Sequence, residues 1–413
     1  MAIQLLTSSK SATDRNVALA KKSLDILLAR TDIDFFRVPQ MSELWDETKK
    51  LAEELRQNYS QLVVVGIGGS SLGPRSIHEI FYESSQTHQV YFCDNTDAIA
   101  FERLLQSIPD LKKTAWVFIS KSGSTLETLA AYDFTSQFYN KKGISFIDQT
   151  YFVTEKKSNP LFNLASEHKR PILEIPLQVG GRYSVLTPVG MLPAAFMGLD
   201  IEAFRKGALS AISMKERIVS VSAYSLESFD RQEWITLFWH YSSLMKNFGG
   251  WIQQLWAESL AKARDRHNQT AKRASTPISA IGACDQHSIL QQVVEGSKDK
   301  LVIFIRIGSA ESSVELLKQT AFPENKYLIN KGFGQILAAE AEATSIALTQ
   351  SGVSNLVLYV PDLSENTVGF LFMFWQMVVG TVGEAMNINA FDQPGVELGK
   401  RLAKQLLSSS KLS

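Results

Sequence analysis

The stretch Gln61-Leu-Val-Val-Val-Gly-Ile-Gly-Gly-Ser-Ser-Leu-Gly73-Pro74 decides the fold. A short β-branched run ends at Gly66, a loop of small residues follows, and residues 72–81 carry helical spacing. Strand, tight turn and helix in that order open a βαβ unit. Outward from it, Val90-Tyr-Phe-Cys-Asp94, Ala115-Trp-Val-Phe-Ile-Ser120 and residues 145–154 repeat the apolar run, with helical stretches between them. Such alternation builds a parallel sheet covered on both faces through right-handed crossovers. A second series begins beyond a helical region near 200–230. Ile235-Thr-Leu-Phe-Trp-His240, Leu301-Val-Ile-Phe-Ile-Arg306 and Asn355-Leu-Val-Leu-Tyr-Val360 read as strands, and residues 242–264, 286–295 and 335–349 as helices. The predicted fold class is α/β, with two doubly wound parallel-sheet domains over 46–195 and 215–385. Residues 1–45 are an N-terminal helical segment. The helical pattern runs on to about residue 60 through Leu24, Ile26, Leu27, Leu44, Trp45, Leu51 and Leu55. Residues 386–413 close the chain with a helix from about Val396.

Composition bounds the function classes. The chain has 413 residues, 42 Lys+Arg against 42 Asp+Glu, six His and two Cys, and 45% of it is apolar. That is a globular composition with enough chain for a large core. Zero net charge argues against nucleic acid or an anionic membrane held through bulk electrostatics, though a few donors in one pocket can hold a small anion. Cys93 and Cys284 make no disulfide framework, which points to a reducing compartment. The first residues lack the basic and apolar segments of a secretory signal. Residues 368–383 form an apolar run of about 16, short of the ~20 needed to cross hydrocarbon. It holds Gln376, Thr381 and three glycines, and reads as a buried core helix. The expectation is a soluble, cytoplasmic protein with no nucleic-acid or membrane partner.

Two loops could carry chemistry. Residues 66–74 bring glycines and a helix start to a strand end, where backbone can approach a ligand closely and free N–H groups await an anion. Alone, this is equally a tight strand-to-helix turn. Ser71 occupies the third place of Gly-x-Gly-x-x-Gly, but Asp94 ends the next strand, so a dinucleotide-binding oxidoreductase stays open at this point. The second loop, Ser120-Lys-Ser-Gly-Ser-Thr125-Leu-Glu127-Thr128, puts five hydroxyl residues around one Gly and one Lys. Hydroxyls and N-terminal amides suit a phosphate monoester. The plainer reading is a hydroxyl-rich helix cap with Glu127 in a capping role. Loops on neighbouring strand ends would face one crevice, and a sugar phosphate uses both, with its phosphate on one and its hydroxyls on the other.

This pair resembles the sugar-isomerase domain family, and four further segments are similar to the phosphoglucose isomerase family, in its compact bacterial form. They are Gly180-Gly-Arg182-Tyr-Ser184-Val-Leu-Thr-Pro188-Val-Gly190, Gly250-Trp-Ile-Gln-Gln254-Leu-Trp-Ala-Glu258-Ser-Leu-Ala-Lys262, Asp285-Gln-His287-Ser288 and Asn389-Ala-Phe-Asp-Gln393-Pro-Gly-Val-Glu-Leu-Gly-Lys400. All fall in family order between about 63 and 402. Taken singly, Glu258 is a charge on an amphipathic helix, His287 a helix-start histidine, Arg182 a charge at a turn and Lys400 the basic end of a helix.

The resemblance implies flavodoxin-like sugar-isomerase domains and isomerisation of glucose 6-phosphate and fructose 6-phosphate through a cis-enediol, as in glycolysis and gluconeogenesis. It implies no cofactor and no metal. By spacing, Cys284 and His287 are the one pair at ligand distance in the chain, and two ligands make no site. The resemblance gives ring opening to His287 and Lys400, proton transfer between C2 and C1 to Glu258, and oxyanion stabilisation to Arg182. It places phosphate on Ser120, Lys121, Ser122 and Thr125, with Gly69, Ser70, Gln254 and Gln393 near the sugar. It also implies a homodimer in which His287 reaches into the partner's site. Alternatives are a bifunctional glucose/mannose 6-phosphate isomerase and a non-catalytic sugar-phosphate sensor. Ala261, Pro394 and Ser71 depart from common family residues, and Pro394 beside Gln393 bears on substrate preference.

Overall fold

The computed structural model describes residues 4–8, 10–82, 87–308 and 314–409. The chain opens with β1 (Gln4–Ser8), α1 (Asp14–Ala29) and α2 (Ser42–Asn58). A first α/β series follows: β2 (Gln61–Val65), α3 (Leu72–Phe81), β3 (Gln89–Cys93), α4 (Ala98–Ser107), β4 (Thr114–Ile119), α5 (Leu126–Asn140), β5 (Thr150–Thr154), α6 (Pro160–Glu167) and β6 (Ile172–Glu174). Helices α7 (Pro188–Met197), α8 (Ile201–Ser213) and α9 (Lys215–Asp230) lead to the second: β7 (Ile235–Tyr241), α10 (Lys246–Leu260), β8 (Thr276–Ile281), α11 (Leu290–Glu295), β9 (Lys300–Ile307), α12 (Phe333–Gln350) and β10 (Ser354–Val360). The described chain ends with α13 (Glu365–Ala385) and α14 (Glu397–Ser408).

The first sheet runs β3-β2-β4-β5-β6 and is parallel throughout. Its order is the doubly wound 2-1-3-4-5, with the reversal of winding between β2 and β4. The second runs β1-β10-β9-β7-β8. Its four parallel strands repeat the 2-1-3-4 order, and β1 takes the remaining edge by pairing antiparallel with β10.

Alternate residues of each strand face opposite sides, so both faces of a central strand need cover. Val63, Val65, Trp116 and Phe118 pack with Tyr139 and Phe146 on one face of the first sheet. Leu62, Val64, Val117 and Ile119 face the other way, into a cluster that continues to Ile303, Ile305 and Leu358 of the second sheet. Helix α13 belongs to that cluster, with 94% of its apolar window buried, so it serves as a core helix between the sheets. It is the one helix among the described residues long and apolar enough to cross a membrane. Helices α8 and α13 approach at backbone distance through two glycines. A Cβ on Gly207 would lie 1.8 Å from the Asn366 carbonyl oxygen, and one on Gly369 2.2 Å from that of Phe204.

The α/β class and its parallel strands match the sequence reading, and α3 has the limits its spacing predicted. Elsewhere the elements differ. Residues 4–8 are a strand, whereas the sequence reads helix there; residues 1–3 and 9 lie outside the described residues. Ile26 is 43% exposed, while the other six apolar residues predicted with it are buried. Strand β8 went unread because Pro277 sits second in it; at a sheet edge the missing N–H costs no ladder bond to a further strand. The run over 145–154 divides into a 3-10 turn at Ile147–Gln149 and β5. Residues 284–295 divide likewise into a 3-10 turn, Cys284–His287, and α11.

Candidate active site

The loops after β2 and β4 flank the reversal in the first sheet, where doubly wound sheets open a crevice beyond their strand ends. Residues 66–71 turn there through Gly68, whose φ is +58°. The neighbouring Gly69 is packed without slack: a Cβ would fall 2.4 Å from the carbonyl carbon and oxygen of Gly181 and 2.7 Å from the Arg182 nitrogen. Glycine is thus what lets this loop lie against the short 3-10 turn Gly181–Tyr183. Beside it, Ser71 Oγ donates to Asp94 Oδ2 at 2.7 Å, and Arg75 grips the same carboxylate through Nε and, at 2.9 Å, through Nη2. Burial pushes the Asp94 carboxyl up, but the bonds from Arg75 and Ser71 outweigh it and hold it below its ordinary 3.8. Asp94 therefore anchors the loop, and the acid that kept a dinucleotide reading open is already taken.

The loop over 120–125 turns through Gly123, at φ +62°, against Asn159. Its hydroxyls pair among themselves: Ser120 Oγ lies 2.7 Å from Thr125 Oγ1, and Ser124 Oγ donates to Ser122 Oγ at 3.1 Å. Thr125 is the residue before α5, yet no side chain caps that helix, which removes the plain capping account of the loop. The first-turn amides of α5 are left for an outside acceptor. Lys121 Nζ donates to the Leu177 carbonyl at 3.0 Å and pairs with Glu155 at 3.5 Å. Burial lowers the Lys121 ammonium, against the pull of Glu155.

Arg182 stands at the centre of a second cluster. Its side chain is 1% exposed, and a guanidinium so buried needs each N–H met. All five are: Nε donates to Ser259 Oγ (2.7 Å), Nη1 to Gln393 Oε1 (2.9 Å) and Glu258 Oε2 (3.3 Å), and Nη2 to the carbonyls of Ala390 (2.6 Å) and Asp392 (3.1 Å). Arg182 is not the exposed turn charge that its local sequence equally allowed. Helix α10 presents Gln254 and Glu258 one turn apart, and Gln254 Nε2 donates to Glu258 Oε1 at 3.0 Å. The Glu258 side chain is 33% exposed, so this carboxylate is both held and reachable. Gln254 Oε1 is buried without a hydrogen-bond partner, and its Nε2 lies 2.9 Å from where a Gly68 Cβ would be. The first glycine loop and the Glu258 helix are therefore neighbours.

The structure brings Arg182, Glu258, Gln254 and Gln393 together beside the loop holding Gly69 and Ser70. Of the others singled out in the sequence, Ser120, Lys121, Ser122 and Thr125 lie on the second loop, and His287 and Lys400 make no side-chain hydrogen bond or ion pair with the cluster among the described residues. His287 ends its 3-10 turn exposed, and its side chain makes no hydrogen bond among the described residues. Lys400, on α14, has a side chain 64% exposed, and among the described residues its ammonium bonds only Glu397, at 2.8 Å. Sequence reading missed Ser259, although it adjoins Glu258, and Lys262, whose ammonium reaches the Glu258 carbonyl at 2.9 Å and Asp392 Oδ1 at 3.0 Å.

Known proteins match most of the chain. The family model for phosphoglucose isomerase matches residues 37–413. A glucose-6-phosphate isomerase of Carboxydothermus hydrogenoformans is 33% identical over 91% of this chain and 85% of its own. Among solved structures, a hypothetical protein of Thermus thermophilus superposes with a TM-score of 0.89 at 32% identity, covering 96% of each chain. A glucose-6-phosphate isomerase of Chlamydia trachomatis gives 0.76 at 26% identity over 88% of this chain and 73% of its own. On the match across 37–413 and these relatives, the chain belongs to the phosphoglucose isomerase family.

Proposed function

We propose that this chain interconverts glucose 6-phosphate and fructose 6-phosphate by acid/base proton transfer through a cis-enediol. The observation that carries the reading is the fully engaged Arg182 fork, joined through one Nη1 to both Glu258 and Gln393. A proton beside a sugar carbonyl is weakly acidic, so removing it requires a base and a donor for the oxyanion at once. With five bonds made, Arg182 can serve a substrate oxygen only by giving one up. The bond to Glu258, at 3.3 Å, is the longest of the five. Passing that N–H from Glu258 to substrate oxygen polarises the carbonyl and frees the carboxylate. Glu258 then takes the proton from C2 and returns it to C1 while the O2 hydroxyl proton passes to O1, leaving no net proton or electron to account for.

The phosphate sits on Ser120, Lys121, Ser122 and Thr125. Because Lys121 Nζ is engaged by Leu177 and Glu155, its backbone N–H is the group offered to the phosphate. Gly69, Ser70, Gln254 and Gln393 border the sugar. Ring opening falls to His287 and Lys400, with His287 supplied by the partner subunit of a homodimer. The exposure of His287 supports that assignment, as does the apolar Leu398, Leu402 and Leu406 face that α14 leaves uncovered. We further read 46–195 and 215–385 as the two sugar-isomerase units. The setting is the cytoplasm, in keeping with two free cysteines.

A coupled assay that consumes glucose 6-phosphate as it forms from fructose 6-phosphate tests the reading. Wild type should turn over, and Glu258→Gln should lose roughly 10²-fold or more in kcat. An inactive wild type beside a working control would sink the isomerase. Running the assay with mannose 6-phosphate distinguishes a bifunctional enzyme. Mixing Glu258→Gln with His287→Ala chains should restore part of the activity if the histidine crosses between subunits.

A further inference from the structure

Lys262 lies just beyond the end of α10, and its side chain is 7% exposed. An ammonium has three N–H donors and each must be met once it leaves water. Here the three acceptors are the Glu258 carbonyl at 2.9 Å, Asp392 Oδ1 at 3.0 Å and the Asp392 carbonyl. A lysine placed there for helix capping alone would need only the first, since Glu258 sits in the last turn where carbonyls lack helical partners. The other two bonds go to a residue 130 positions away. That residue precedes Gln393, which accepts from Arg182 Nη1, and the same Asp392 carbonyl also accepts from Arg182 Nη2 at 3.1 Å. Two cations thus converge on one carbonyl, which is tolerable because the carboxylates of Asp392 and Glu258 stand beside them.

We propose that Lys262 is a positioning residue that fixes the 390–393 turn, and with it Gln393, against the end of the helix bearing Glu258. The inference rests on the isomerase reading, for it explains how Arg182 can be spared. Without Lys262 the turn is held to this region chiefly by Arg182 itself, through Ala390, Asp392 and Gln393. Handing an Arg182 N–H to substrate would then loosen the turn that aims Gln393. With Lys262 in place the turn stays put while Nη1 changes partner. Burial lowers the Lys262 ammonium, and its bond to Asp392 opposes that shift.

Lys262→Met keeps the stem and removes the donors; Asp392→Asn keeps the carbonyl acceptor and removes the carboxylate. With fructose 6-phosphate, Lys262→Met should lower kcat about 10- to 100-fold, as expected for a misplaced group near reacting atoms. KM should stay within about threefold, since the 120–125 loop is untouched. Asp392→Asn should fall between it and wild type, and the double variant should be no slower than Lys262→Met alone. Lys262→Arg should recover part of the lost kcat. A lowered denaturation midpoint with kcat unchanged would mean a helix cap only and would overturn the proposal, as would a loss confined to KM. Should Lys262→Met not fold, wild-type kcat in Asp392→Asn would overturn it equally. An inactive wild type refutes the isomerase reading itself; an active wild type with an equally active Lys262→Met refutes only this inference.

Discussion

Arg182→Lys separates the need for a cation from the need for a fork. The charge is kept, but five donors become three. Arg182 now meets Ser259 Oγ, Glu258 Oε2, Gln393 Oε1 and two carbonyls, so a lysine loses at least two of these bonds. Ser259 and Ala390 are fully buried, and water cannot replace the lost donors without opening the core. Ser259 Oγ keeps the Tyr183 hydroxyl at 3.0 Å and the Asp392 carbonyl keeps Lys262, so the two lost bonds cost about 1–3 kcal/mol together, at ~0.5–1.5 each. Part of that should appear as a lower midpoint in urea unfolding. In the proposed reaction the remaining donors cannot both hold Gln393 and follow the growing oxyanion. Loss of one such donor costs roughly 10²-fold in kcat, and that is the size expected here. Steady-state kinetics with fructose 6-phosphate and urea unfolding on the same preparation measure both effects. A variant within about threefold of wild type in kcat, with an unchanged urea midpoint, would refute the argument that the fork geometry is what this site uses.

Other perturbations test separate contacts. Gly69→Ala places a methyl 2.4 Å from Gly181, where ordinary contact begins at 3.4 Å, so the two turns must part by about 1 Å; kcat should fall roughly 10²-fold, and wild-type turnover would show that the close approach is dispensable. Glu384, 1% exposed, accepts from Arg30 at 2.7 Å and from Arg266 at 2.6 Å, so Glu384→Ala leaves Arg266 without its carboxylate while Arg30 keeps Asp32. With both arginines partly exposed, a stability loss of about 1–3 kcal/mol is expected in urea unfolding, and no measurable loss would show that the arginines find water instead. The Asp94 carboxyl is held below its unfolded 3.8, so its contribution is complete above that value and drains away as pH falls through the folded one. Asp94→Asn should be less stable at neutral pH and lose less between pH 5 and 3 than wild type; parallel stability curves would mean that the Arg75 pair contributes nothing.

How much was legible depended on how local each cause was. The run at 62–65 is apolar throughout because β2 is flanked on both edges and covered on both faces, and composition records that directly. Strand β1 is invisible in the same way, because five residues next to a long helix become a strand only by finding β10, about 350 positions on. The site divides along the same line. Both loops could be read from glycines, hydroxyls and the strand before each. That Arg182 is buried could not, because Gly-Gly-Arg-Tyr is also the composition of an exposed turn. Its burial is set by Ser259, 77 positions away, and Gln393, 211 away. Lys262 was visible only as the residue after Ala261, and its meaning lies in Asp392.

The charge count of 42 against 42 takes on a particular sense in this site. Each cation near the reacting region already has an anion: Arg182 has Glu258, Lys262 has Asp392 and Lys121 has Glu155. A site paired in this way exerts little net pull on a phosphate dianion from afar, so in the proposed reaction ground-state affinity falls to the amides and hydroxyls at 120–125. The charges remain available for the step in which charge develops. Moving an Arg182 N–H from carboxylate to oxyanion exchanges one anion for another, with Lys262 holding the turn meanwhile. Such an exchange favours the enediolate-like transition state over bound sugar, because a neutral carbonyl competes poorly with a carboxylate for that N–H while a developing oxyanion competes well. An arginine left unpaired before substrate arrives would bind substrate and transition state more nearly alike, and would lower KM without raising kcat.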